Sequence, residues 1–66
     1  MSWYAVTLCT DKALGPFATK HAAMRAAGAI TLKREEAGLY KTRCRREWHI
    51  GTRERLVAHG FEWALD

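Results

Sequence analysis

Residues 3–9 read Trp-Tyr-Ala-Val-Thr-Leu-Cys, and the polar Thr10-Asp11-Lys12 follows them. The β-branched and aromatic content predicts a strand. Tyr4, Val6 and Leu8 share one side of it, and Trp3, Ala5, Thr7 and Cys9 share the other. Gly15-Pro16 then predicts a break, with Phe17 returning to the core. Thr19 predicts an N-cap. Behind it, Ala23, Ala26, Ala27, Ile30 and Ala37 recur at helical spacing, and Gly38 suits a left-handed helix end. This pattern predicts a long helix over residues 20–37. Gly28 interrupts it, so a helix ending near Gly28 with a short strand at Ile30-Thr31-Leu32-Lys33 is the alternative.

Residues 39–50 alternate. Tyr40, Thr42, Cys44, Trp48 and Ile50 have one parity, and Lys41, Arg43, Arg45, Glu47 and His49 have the other. That predicts one strand with an apolar face inward and a cationic face outward. Arg46 breaks the pattern and predicts a bulge or a bend of the strand. Gly51-Thr52 starts a short helix, with Thr52 as N-cap, Leu56 and Val57 inward and Gly60 at the end. Residues 61–65 predict a third strand with Phe61, Trp63 and Leu65 inward. The expected order is β-α-β-α-β. The expected fold is a small single α/β or α+β domain over residues 1–66: a three-stranded sheet with one long helix on one face and a short second helix.

Composition sharpens this reading. The chain has 66 residues, and 11 of its hydrophobic residues are alanine. The core therefore rests on three tryptophans, Phe17, Phe61, Tyr4, Tyr40 and the branched aliphatics. Cores this small are often supported by oligomerisation, which makes a homodimer a candidate assembly. Two distant cysteines, Cys9 and Cys44, read as free thiols in a reducing compartment rather than as a disulfide framework. No signal peptide or membrane-length apolar run is visible, so a cytoplasmic location is expected, without a membrane partner.

Charge is the most informative functional feature. The net charge is +4, and residues 41–55 carry all of it: Lys41, Arg43, Arg45, Arg46, Arg53 and Arg55 against Glu47 and Glu54. On a single strand, Lys41, Arg43 and Arg45 would project at about 6.8 Å intervals, a spacing suited to successive phosphates. Arginine also grips a phosphate with two hydrogen bonds. Arg46, Arg53 and Arg55 would extend the site. Trp3, on the same outer face, would stack a base. Four to six phosphate contacts imply a salt slope of about −4 to −5 on duplex DNA. The competing account is a solvated sheet face neutralised by Glu47, Glu54 and Glu62.

Other chemistry is sparse. The first turn after Thr19, with Lys20 and His21, is a weaker anion site, and an ordinary capped helix explains it as well. His21, His49, His59, Cys9 and Cys44 lack metal-ligand spacing, so no metal or other cofactor is expected. Cys44 lies among arginines, but its parity points it into the core, so a structural thiol is expected there rather than a nucleophile. Glu35 and Glu36, adjacent on the expected helix, point apart and make no acid–base pair. Met24 and Leu32 fall off the main helical face, and a second track of Ala22, Ala26 and Ala29 offers a surface for a partner helix. The expected function is a non-enzymatic nucleic-acid-binding or regulatory module with no catalytic residue. The alternative is a protein-interaction module that meets an acidic protein surface or adds to a partner's sheet edge.

Overall fold

Five short strands form one antiparallel sheet in the computed structural model, which describes residues 2–8, 12–29, 31–43 and 47–65. The elements are β1 (Trp3–Thr7), β2 (Lys12–Phe17), α1 (Lys20–Ala27), β3 (Leu32–Glu36), β4 (Leu39–Thr42), β5 (Trp48–Thr52), α2 (Arg53–Ala58) and α3 (Glu62–Leu65). The strands lie in the order β2-β1-β5-β4-β3. The expected three-stranded sheet with one long helix is therefore incorrect, and among the described residues every strand pair is antiparallel.

Each departure has a local cause. Thr19 does cap α1, its hydroxyl oxygen accepting from the Ala22 N–H at 3.1 Å. The helix stops at Gly28, whose φ of 71° is left-handed, and the Ala29 N–H reaches back to the Met24 carbonyl at 3.0 Å. That Schellman-type ending satisfies the last carbonyls, so no continuation to Ala37 is needed. Residues 32–36 instead extend as β3 and turn at Ala37-Gly38 into β4. Gly15-Pro16 lies within β2, where a register irregularity against β1 absorbs it. The expected third strand is α3: Phe61, Ala64 and Leu65 pack at helical spacing, while Trp63 is exposed. Replacing Thr19 by Ala is expected to cost about 1 kcal/mol, read as a lower urea midpoint.

The expected strand over residues 39–50 is a hairpin. β4 pairs with β5 through Leu39–Gly51, Tyr40–Ile50 and Lys41–His49. Paired positions sum to an even number, so residues of equal parity stay on one face after the chain reverses. Two threonines close the connection between the strands. The Thr42 hydroxyl accepts from the buried Trp48 N–H at 3.1 Å, and the Thr7 hydroxyl donates to the Glu47 carbonyl at 2.8 Å.

Both sheet faces are covered. On one, Ala5, Trp48 and Ile50 pack against Ala23 of α1, with Trp3, Leu14, Met24 and Tyr40 around them. On the other, Val6 and Leu39 pack against Leu56 of α2 and Phe61. Met24 and Leu32 pack, partly buried, against the first cluster and so do not extend the expected Ala22, Ala26 and Ala29 surface. Ala26 is exposed rather than inward. Register lines up cross-strand rows, and these run from charged to apolar across the sheet. One row is Lys33, Lys41, His49, Val6 and Ala13; another, on the α1 face, is Arg34, Tyr40, Ile50, Ala5 and Leu14. The polar end of both rows is the β3–β4 hairpin.

Candidate nucleic-acid interface

The β3–β4 hairpin brings together cations that are eight residues apart in the chain. Lys33 and Lys41 are directly paired across the strands and share a face. Like charges in that position repel. Lys41 has a counter-ion, Glu47, at 2.8 Å. This hydrogen bond raises the Lys41 pKa and lowers that of Glu47. Arg34 lies opposite Tyr40 on the other face and is exposed. Arg43 follows β4, exposed, its backbone N–H held by the Thr31 carbonyl at 3.2 Å. Among the described residues, Lys33, Arg34 and Arg43 stand in no ion pair.

The expected row of strand cations is redistributed. Lys41 lies on the hairpin, but Arg43 is beyond the end of β4, so they form no 6.8 Å ladder. Arg45, Arg46 and Cys44 lie outside the described residues, as does Cys9. Arg53 and Arg55 are in α2, which starts at the far end of β5 from Arg43. The Arg53 guanidinium donates to the Leu65 carbonyl at 3.0 Å and so fastens α3. The stem of Arg55 lies beneath the Gly38 turn, 3.1 Å from where a β-carbon would stand. Trp3 is half-buried on the α1 face, its ring 6.4 Å from that of Tyr40, and so is on the face away from Lys41. The Lys20 ammonium covers the Tyr40 ring at 4.3 Å, a cation–π contact.

A polar chain runs beside the hairpin. Glu47 Oε1 meets Lys41 Nζ and faces His49 Nε2 at 3.7 Å. His49 Nδ1 faces Glu35 Oε2 at 3.7 Å, and His59 Nε2 faces that same oxygen at 3.9 Å. On its other side, His59 Nδ1 is 4.0 Å from Glu36 Oε1. Acids and bases thus alternate from β4 to the end of α2. Sequence reasoning missed Lys33, Arg34 and this chain because it placed residues 33–36 in a helix. The usable signal was Ala37-Gly38 as a hairpin turn, but that turn alone would set Arg34 opposite Lys41, and the register shift between Arg34 and Glu36 is what brings Lys33 there.

Among the described residues, no group of three His, Cys, Asp or Glu side chains is placed to hold a metal ion. Nor is any helix long and apolar enough to cross a membrane. No protein-family model matches the chain, and neither a curated protein nor a solved structure does.

Proposed function

We propose that the protein is a non-enzymatic nucleic-acid-binding module whose β3–β4 hairpin, with Lys33, Arg34, Lys41 and Arg43, contacts phosphates. The observation that carries this reading is the cross-strand Lys33–Lys41 pair, with exposed Arg43 just past the end of β4 and exposed Arg34 on the other face of the same hairpin. Glu47 offsets one member of the group, Lys41, while Lys33, Arg34 and Arg43 stand in no ion pair among the described residues, and Glu35 and Glu36 face the histidines. Lys33, Lys41 and Glu47 together still carry a net positive charge, which a phosphate arriving there would offset.

The test is fluorescence anisotropy of labelled single- and double-stranded oligonucleotides at roughly 50 and 200 mM salt. Four phosphate contacts give a log–log slope of about −3.6 on duplex, a loss of about a hundredfold across that range. The double variant Lys33→Glu/Arg43→Glu is expected to abolish binding. Lys33→Glu sets a carboxylate opposite Lys41, so the fold gains a favourable pair and lost binding reports contact rather than unfolding. No binding by the wild type at the lower salt would overturn the proposal.

A second reading draws on the position of β3. It is an edge strand with four of its five residues exposed, so its outer backbone is open to a partner's strand. Binding to one protein that added salt does not weaken would favour it.

A further inference from the structure

His49 is the most enclosed member of the polar chain. Only 9% of its side chain is exposed. Its Nδ1 is buried without a hydrogen-bond partner; the Glu35 oxygen at 3.7 Å is out of range. Its Nε2 faces a Glu47 oxygen, also at 3.7 Å, that Lys41 already holds. The ring is seated by packing instead: the Phe61 ring centroid is 4.7 Å away and that of His59 is 6.5 Å away. A neutral imidazole tolerates this seat. A protonated one carries two donors, neither with an acceptor at bonding distance.

The surroundings decide which way the seat responds. Glu35 from β3 and Glu47 before β5 favour a charged ring, whereas Lys41 from β4 and His59 after α2 oppose it. Val6 of β1, its partner in register, carries no charge. Burial is the largest influence, and it holds the His49 pKa below the ordinary histidine value. The ring lies on the sheet face that the C-terminal residues cover, with the Phe61 and His59 rings against it. That cover belongs to the C-terminal helical layer, which sits on the sheet through Leu56 and Phe61.

We infer that His49 is an acid trigger for this layer: when the ring takes a proton, α2 and α3 lift from the sheet and admit water, while α1 stays packed on the opposite face. The sign follows from linkage. The closed form holds the His49 pKa down, and the opened form restores it to its ordinary value. Between those two values the opened form binds more protons. Opening therefore becomes more favourable as pH falls through the histidine range, and levels off below the closed-state value.

Amide hydrogen exchange of the full chain at about pH 7.5 and about pH 5, corrected for intrinsic rates, tests this. Protection of α2 and α3 is expected to fall by up to about tenfold per pH unit inside the window, with α1 changing less than about twofold. His49→Phe keeps a ring beside Phe61 and removes the titration, so its C-terminal protection should not change with pH. If that variant fails to fold, the wild-type His49 resonance supplies the second reading: its titration midpoint must coincide with the loss of C-terminal protection. Three results would each overturn the inference: C-terminal protection that ignores pH, parallel loss in α1, or a pH response that survives in His49→Phe.

Discussion

Ile50→Ala is expected to cost about 2–5 kcal/mol and to remove most of the folded state of this chain. Ile50 is fully buried at the middle of β5, the central strand of the sheet. Its cross-strand neighbours are Ala5 and Tyr40, and Ala23 of α1 is in the same cluster. Two of those three are alanines, which have no side chain to swing into the vacated volume, so relaxation of the site would fall to the larger residues of the cluster such as Trp48 and Met24. Domains of this length have little stability to lose, since a small chain buries only about 60% of its unfolded surface. Urea titration followed by far-ultraviolet circular dichroism checks the expectation. Ile50→Val, which removes one methylene, should cost only about 0.5–1.5 kcal/mol. A loss below about 1 kcal/mol in Ile50→Ala would mean that the site repacks and that this cluster does not anchor the fold.

Gly51→Ala is expected to destabilise by about 1–3 kcal/mol, although it adds only a methyl group to a strand. An added β-carbon would stand 2.7 Å from the Gly38 carbonyl oxygen and 3.2 Å from Leu39 Cδ1. The first contact is with backbone, which has no rotamer to change. The turn at Ala37-Gly38 would have to move, and it carries the β3–β4 hairpin with it. The effect is one of close approach, because Gly51 itself has no positive φ. Thermal unfolding measures the cost, and a spectroscopic change at Tyr40 would show that the hairpin had shifted. A neutral substitution would mean that the turn is not pressed against β5.

The two substitutions act on adjacent residues and opposite faces, and the residue pattern already placed Ile50 inward. The parity of Tyr40, Thr42, Trp48 and Ile50 was read on a strand that does not exist as one piece, yet these four do face inward; His49, expected outward, is buried under the C-terminal layer on the other face. An even-sum hairpin preserves parity, so alternation alone does not distinguish it from a straight strand. The distinction lies in hydrogen bonds made by Thr42 and Thr7 to partners at Trp48 and Glu47. The error over residues 28–38 is of another kind. Alanine spacing carried the helix past Gly28, although the tertiary context offers residues 32–36 a partner strand in β4. Pairing with β4 outweighed helix propensity there, as tertiary contacts commonly do.

The candidate interface divides the same way. The net charge and its concentration in residues 41–55 are properties of composition and were legible at once. The cations that share a surface are not those that adjoin in the chain. Arg53 and Arg55 are carried away into α2, and Lys33 and Arg34 are brought in by β3.

Local chemistry determined β1, the caps at Thr19 and Thr52 and the inward facing of the core residues around Ile50. Each of these depends on side chains within a few positions of one another. Tertiary structure alone decided the strand number, the antiparallel order, the covering of both faces and the seating of His49 among Glu35, Glu47, His59 and Phe61. The physical reason is range: caps and parity are satisfied within a turn or a strand, whereas a sheet's order is settled by burying both faces of its central strands against residues distant in the chain.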